Sequence, residues 1–138
     1  MAFKIERIEV WSSNLHDKPG ALARKLTGLT EAGVDMDFLL CRRTSAHAGL
    51  VFVAPIKGAR QIQAAKREKF ERDSSVSVLR VEGPNKPGTS AMISQRLAQA
   101  GINIAGVSTT GTGRKFVAYL AFDDTHDAAQ ALRLLHKL

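Results

Sequence analysis

The sequence predicts an α+β protein built from two copies of one small unit, and two observations carry this prediction. A Pro-Gly turn that opens a helix occurs at residues 17–20 and recurs 68 positions later at residues 85–88. Strand-like and helix-like segments follow each turn in the same order, and a glycine at the same spacing ends each first helix. We therefore divide the chain into unit one, residues 1–74, and unit two, residues 75–138.

Unit one opens with a predicted strand over residues 3–13, which are rich in β-branched and aromatic side chains. The apolar positions change phase near Glu6 and Arg7, and we interpret this change as a β-bulge. The helix after the turn is indicated by leucines at the i, i+4 and i+7 spacing of one buried stripe, and Gly33 ends it. These leucines are Leu22, Leu26 and Leu29.

The remaining elements follow from apolar periodicity and from turn residues. Unit one continues with strands at residues 35–43 and 48–54 and a helix at residues 59–71. Asp124 or Thr125 is expected to cap the last helix of unit two. The elements predicted in unit two are a strand at 75–82, a helix at 88–100, a hairpin of strands 103–109 and 115–122, and a helix at 125–137.

This order of elements places the helices of each unit on one face of an antiparallel sheet, which is the ferredoxin-like plan. The strand at residues 75–82 can serve as the fourth strand of unit one and as the first strand of unit two. Unit two then has no fourth strand of its own. We expect that open edge to be tolerated or to be covered by another chain.

Three strands are apolar in both phases, although a sheet that is covered on one side only should alternate apolar and polar residues. They contain residues 38–41, 50–53 and 116–122. We therefore expect both faces of each sheet to be buried, with the helix-free face packed on another sheet. This pattern predicts a compact two-unit body or a homodimer.

The composition excludes several classes of protein. Of 138 residues, 44% are hydrophobic, too many for a disordered chain. No apolar run approaches the roughly 20 residues of a membrane span, and the N-terminal residues lack a signal-peptide pattern. Cys41 is the single cysteine, which excludes an internal disulfide and a multi-cysteine metal site. We expect a cytoplasmic protein in which Cys41 is a buried, unreactive thiol.

The net charge of +7 is shared almost equally by the two units, with one local basic cluster. Acidic residues alternate with these bases on a predicted helix, so we interpret the cluster as a solvated face. The four histidines lack the spacing of metal ligands, and no nucleophile motif accompanies them. We expect no metal, no cofactor and no enzymatic activity. The cluster comprises Lys66, Arg67, Lys69 and Arg72.

The Pro-Gly turn of each unit has the chemistry of a small anion site. The first backbone N–H groups of a helix have no partner within it and lie at the positive end of its dipole. Glycine removes the side chain that would block a ligand, and such a turn suits a carboxylate or a phosphate. In unit two the donors would be the amides near Gly88, Thr89 and Ser90, and the two hydroxyl groups would extend their reach.

Both turns, together with the segments that end each first helix, resemble the ACT domain family. In unit two the matching residues are Lys86-Pro87-Gly88 and the segment Leu-Ala-Gln-Ala-Gly-Ile-Asn-Ile at 97–104. In unit one they are Lys18-Pro19-Gly20, Leu29 and the segment Ala-Gly-Val-Asp-Met at 32–36. ACT domains are small regulatory modules of amino-acid biosynthetic enzymes, and this chain looks closest to free-standing tandem copies without a catalytic domain.

The resemblance implies a non-catalytic sensor that forms a homodimer and regulates an enzyme. In the family, an amino acid binds between two modules, in contact with the first loop of one and the second strand of its neighbour. The loop positions carried over are Asn85, Lys86, Pro87, Gly88, Thr89 and Ser90 in unit two, and Asp17, Lys18, Pro19, Gly20 and Ala21 in unit one. The second-strand positions are Asn103, Ile104, Asp35 and Met36.

The two predicted sites differ in charge. Asp17 and Asp35 stand where unit two has Asn85 and Asn103. A carboxylate at the loop repels a ligand carboxylate, whereas an asparagine can donate or accept a hydrogen bond. We therefore expect unit two to be the better site for an amino acid or a related carboxylate.

Two alternatives remain, an RNA-binding module and a protein-interaction subunit without a ligand. RNA-recognition modules share this order of strands and helices, and their third-strand signature asks for aromatic residues at fixed positions. Residues 115–122 meet that signature only in part, because Phe116 replaces its glycine and Val117 replaces its first stacking aromatic residue. The strand at 75–82 contains no aromatic residue, so nucleic acid is not the expected partner.

Overall fold

The computed structural model describes residues 3–138, and the chain forms two units. The inserted unit is Glu9–Asp73, and the discontinuous unit joins the residues up to Ile8 with Ser74–Leu138. Among these described residues, each unit has one four-stranded antiparallel sheet and two helices. The predicted α+β class and the ferredoxin-like plan are confirmed.

The elements follow the order expected from the sequence. The structure has two strands more than predicted, one just before the inserted unit and one at its end. The first part of the chain contains β1 (Lys4–Ile8), β2 (Trp11–His16), α1 (Ala21–Thr30), β3 (Phe38–Ser45), β4 (Ala48–Ala54), α2 (Gly58–Arg67) and β5 (Glu71–Arg72). The second part contains β6 (Ser77–Pro84), α3 (Thr89–Gln99), β7 (Gly106–Thr112), β8 (Lys115–Phe122) and α4 (Thr125–Leu135).

The two sheets have equivalent strand orders. The discontinuous unit has the order β1-β6-β8-β7, and the inserted unit has the order β3-β4-β2-β5. All neighbouring strands are antiparallel. The edge strand β1 therefore holds the position in its sheet that β5 holds in the other.

The strand predicted over residues 3–13 is in fact two strands in different sheets. Ile5 pairs with Val81 of β6, whereas Trp11 pairs with Val53 of β4. The change of phase near Glu6 is thus not a bulge, because the chain leaves one sheet after Ile8 and enters the other at Trp11. Residues 3–8 consequently belong with the second copy of the unit and not with residues 9–73.

The predicted sharing of one strand by both units is wrong. β6 pairs with β1 and β8 in a single sheet, and β1 supplies the fourth strand that the second copy lacked. The inserted unit obtains its own fourth strand from β5, which pairs with β2. The helix predicted to residue 71 ends at Arg67, because Lys69 adopts a left-handed conformation with φ of 66° and redirects the chain into β5.

Each unit has its own hydrophobic core between sheet and helices. In the discontinuous unit the core contains Leu79 and Val81 of β6 with Ile93 and Leu97 of α3. In the inserted unit it contains Trp11, Leu29, Val51, Val53 and Phe70. The predicted cap of the last helix is confirmed, since the Asp124 carboxylate accepts a hydrogen bond of 2.8 Å from the backbone N–H of Asp127.

The edge strands β3 and β7 depart from the predicted burial of both sheet faces. Leu39 and Leu40 of β3 are 44% and 40% exposed, and Val107 of β7 is 61% exposed. Cys41 is also exposed, so the prediction of a buried thiol is wrong. The physical reason is that an edge strand has a neighbouring strand on one side only. No helix in the described part of the chain is long and apolar enough to cross a membrane.

Candidate functional site

The N-terminal turns of α1 and α3 have nearly the same backbone. Gly88 has φ of 86° and ψ of 0°, and Gly20 has φ of 88° and ψ of −16°. This left-handed conformation favours glycine because a β-carbon would approach the following carbonyl oxygen. No side chain caps either helix, and a β-carbon added at either glycine would meet no atom within 4 Å. Both helix N-termini are therefore open to a small anion.

Thr89 holds the turn of the discontinuous unit in place. Its hydroxyl group donates a hydrogen bond of 2.8 Å to the carbonyl of Lys86, and its side chain is only 4% exposed. The hydroxyl is thus engaged within the loop and does not extend its reach as the sequence suggested. Ser90 is exposed at the same turn.

Asn85 ties the loop to the hairpin between β7 and β8. Its backbone N–H donates to the backbone carbonyl of Arg114 at 2.8 Å, and its side-chain Nδ2 donates to the carbonyl of Gly113 at 3.0 Å. Gly111 makes this arrangement possible, since a β-carbon there would lie 2.8 Å from Asn85 Nδ2. Asn85 therefore positions the loop through its amide nitrogen.

Asp17 occupies the equivalent place in the inserted unit with different partners. Its backbone N–H donates to the carbonyl of His47 at 3.0 Å, and its carboxylate forms an ion pair with Arg43. Arg43 and Gly111 are 68 positions apart, as Asp17 and Asn85 are. The sequence prediction treated the Asp17 carboxylate as unpaired and missed Arg43, although the same spacing could have identified it.

The four second-strand positions lie before the strands and not within them. Asn103 and Ile104 precede β7, which begins at Gly106, and Asp35 and Met36 precede β3. The side chains of Ile104 and Met36 pack against the two hydrophobic cores. Asn103 and Asp35 are exposed and remain able to meet a ligand.

Within one unit, the loop and these positions lie at opposite ends of the sheet. At the loop end, Gly83 pairs with Phe116, which pairs with Gly111. At the other end, Gly106 pairs with Ala121. The intervening residues of β7 span about 15 Å at the rise of a β-strand. The two halves of the predicted site therefore do not meet within one unit.

The other carried-over loop residues are mostly exposed, as a ligand-contacting loop requires. Ala21 is partly buried and packs against the core of the inserted unit. The exposed residues are Lys18, Pro19, Lys86 and Pro87.

A charged network lies on the strands that lead to the loop of the discontinuous unit. The Glu82 carboxylate forms ion pairs with Lys115 Nζ at 2.6 Å and with Arg80 Nη1 at 2.7 Å. Hydrogen bonds from Lys115 and Arg80 lower the pKa of Glu82 from 4.5 to about 2. The hydrogen bond to Glu82 raises the pKa of Arg80, and burial opposes that shift. This network links β6 to β8 two residues before Pro84.

The aromatic residues of β8 do not form a surface on which bases could stack. Phe116 and Phe122 are 4% and 0% exposed and belong to the hydrophobic core. Tyr119 contacts the guanidinium of Arg80, which donates to its hydroxyl at 3.3 Å. The stacking platform of an RNA-recognition module is therefore missing on this strand.

Residues 77–138 match the family model of the ACT domain. No curated protein sequence matches the chain. A solved structure of a protein from Bacteroides thetaiotaomicron is 17% identical with a TM-score of 0.79, and the match covers 94% of this chain and 88% of that one. Aspartokinase alpha and beta subunits are 20% identical with a TM-score of 0.67, covering 99% and 96%.

The regulatory subunit of aspartate kinase from Thermus thermophilus, solved in a ligand-free form, is 15% identical with a TM-score of 0.68 and coverage of 99% and 96%. At these identities the structural similarity establishes the fold. The family resemblance predicted from the Pro-Gly turns rests in addition on the family model over the second turn. Residues 77–138 of this chain therefore match the ACT domain family, and the fold of the chain is that of the solved structures named above.

Proposed function

We propose that this protein is a non-catalytic regulatory sensor that binds an amino acid or a related carboxylate at the N-terminal turn of α3. The match to the ACT domain supports a regulatory role. The similarity to a regulatory subunit of aspartate kinase supports an enzyme as the regulated partner.

The observation that carries the proposal is the open helix N-terminus behind Gly88. Its left-handed backbone leaves no side chain over the turn, and no side chain caps the helix. A ligand carboxylate there accepts hydrogen bonds from backbone N–H groups and lies at the positive end of the helix dipole. Lys86 adds a positive charge beside the same turn.

The second half of the site comes from the segment before the second strand of a neighbouring ACT unit, which makes the active form a homodimer. The register supports this assignment, because Asn103 lies at the far end of the sheet from its own loop. In the described structure, the edge strands β3 and β7 each have one neighbouring strand in their sheet, and their other side could pair with another chain. A ligand that joins the loop to a neighbour favours one packing arrangement over another, and this population shift is the regulatory signal.

A thermal-shift screen of the twenty amino acids, each at the same ionic strength, tests the proposal. A ligand at one hundred times its Kd stabilises the folded protein by about 2.7 kcal/mol, which shifts Tm by a few degrees. We expect one amino acid or a few related ones to do this. A flat response to all twenty would reject the amino-acid site and would favour a protein-interaction subunit without a ligand.

A further inference from the structure

At two equivalent positions, the inserted unit has polar residues where the discontinuous unit has core residues. Val81 and Ile93 are 0% and 2% exposed in the core of the discontinuous unit. The residues 68 positions earlier, in the inserted unit, are Ser13 and Lys25. Ser13 is 4% exposed, and Lys25 Nζ donates to its hydroxyl oxygen at 2.9 Å and to the carbonyl of Glu68 at 2.6 Å.

The Lys25 side chain is partly buried, and partial withdrawal of its charge from water is unfavourable. Burial lowers the pKa of Lys25, the Glu68 carboxylate raises it, and the positive charge of Lys69 lowers it further. The ammonium also lies 5.5 Å from the centre of the Phe70 ring. An isoleucine would fill the same position without this cost, as Ile93 does in the other unit.

Ser13 and Lys25 open onto a cleft of about 450 Å³ between β2, α1 and the end of α2. This volume lies within the range of small-molecule sites. One acidic residue, Glu68, lines the cleft, and His16 lines it as well. The basic residues that line it are Lys18, Arg24, Lys25, Arg67 and Lys69.

The same wall continues into a second cleft of about 420 Å³ that Lys69 also lines. Two further bases of the sequence cluster, Lys66 and Arg72, line this second cleft together with Trp11. Trp11 is 1% exposed, and its Nε1 has no hydrogen-bond partner in the described structure. A buried donor without an acceptor is unusual, but Trp11 does not line the first cleft and gives no evidence about a ligand there.

We propose that the 450 Å³ cleft of the inserted unit binds a small phosphate-bearing anion with two or more negative charges. Five cationic side chains against one carboxylate exceed what a single ligand carboxylate would neutralise. Arg24 and Arg67 have the planar donor geometry that suits phosphate oxygens. Arg67 and Lys69 of the basic cluster, interpreted from the sequence as a solvated face, thus line this cleft. The cleft also includes Lys18 and Ala21 of the inserted unit's own loop, and it does not include the turn at Gly88.

Titration calorimetry of the full chain with inorganic pyrophosphate tests this site, with potassium chloride at matched ionic strength as the reference. We expect saturable binding of one pyrophosphate per chain. Arg67→Gln should weaken it by about tenfold, the effect of losing one charge-assisted hydrogen bond. Arg133→Gln is the matched control, because both arginines are exposed and lie in the last turn of the second helix of their unit.

The double variant Ser13→Val with Lys25→Ile installs the residues that the discontinuous unit has at the equivalent positions. It should retain a cooperative thermal transition and lose the pyrophosphate response, which separates binding from folding. Gly88→Val should leave pyrophosphate binding intact, so the outcome is independent of the amino-acid site.

Three results would overturn the proposal. Pyrophosphate could have no effect beyond that of the chloride salt. Arg67→Gln and Arg133→Gln could weaken binding equally, which would indicate general attraction to a basic surface. A single-stranded RNA could displace pyrophosphate at a far lower concentration and lose its affinity in Arg67→Gln, which would identify the cleft as a nucleic-acid surface.

Discussion

At the residue scale, Asn85 and Asp17 hold the same backbone turn with different chemistry. Asn85 lies against Gly111 and bonds to the hairpin, whereas Asp17 is neutralised by Arg43. Asn85 and Gly111 are both uncharged, and the charges of Asp17 and Arg43 cancel each other. Each loop is therefore electrically neutral at this point. The 68-residue offset reveals both exchanges in the sequence, Asn85 for Asp17 and Gly111 for Arg43, but only the structure shows that the members of each pair are in contact.

Asn85→Asp should therefore weaken amino-acid binding, because Gly111 provides no cation to neutralise the new carboxylate beside the ligand. We expect a loss of about tenfold, the size of a modest repulsion near the protein surface. Adding Gly111→Arg to this variant should recover part of the affinity, as Arg43 does for Asp17. Calorimetry of the two variants measures the coupling, and additive effects would contradict the pairing.

Glu82 makes the stability of the discontinuous unit depend on pH. Its pKa is lowered to about 2, so its stabilising contribution is fully present above the unfolded value near 4.5 and is lost as the pH falls through about 2. Glu82→Gln should cost about 1 kcal/mol at pH 7, since the ion pairs are partly exposed. Urea unfolding at pH 7 and pH 2 checks this, and the two proteins should converge at the lower pH.

At the element scale, β1 shows what the alternation of apolar and polar residues along a strand can and cannot predict. The apolar phase change in residues 3–13 is visible in the sequence, but it does not indicate which sheet each half joins. Pairing of β1 with β6 connects residues 70 to 78 positions apart, and a local sequence pattern carries no information about such a contact. The same limit explains why β5, a strand of two residues, was predicted as the end of a helix.

Ile5→Ala should loosen the discontinuous unit and leave the inserted unit unchanged. Ile5 is 8% exposed and belongs to the core that contains Leu79 and Val81. We expect a loss of about 2–4 kcal/mol for truncating this buried side chain. Hydrogen exchange followed by mass spectrometry should show faster exchange in α3 and α4 with no change in α1 and α2. The reverse pattern would assign residues 3–8 to the other unit.

At the scale of the whole molecule, one fold occurs twice and its two copies have diverged at different places. The repeat, the α+β class and most helices could be predicted, because Pro-Gly turns and leucine stripes are local signals. The surroundings of the predicted site residues could be anticipated only in part, and their contact with a ligand stays a prediction. Ile104 and Met36 were carried over from the family resemblance as ligand contacts, yet they pack against the cores. Their spacing alone could not distinguish a core side chain from a ligand contact.

The central claim is that an amino acid binds at the turn behind Gly88, and titration calorimetry of Gly88→Val with the responding amino acid tests it most directly. Gly20→Val is the matched control, since both glycines have φ near 87° and open space around them. Each variant should lose about 2 kcal/mol of stability from backbone strain. We predict that Gly88→Val abolishes binding while Gly20→Val retains the wild-type affinity of the α3 site. Unchanged affinity in Gly88→Val would contradict the account.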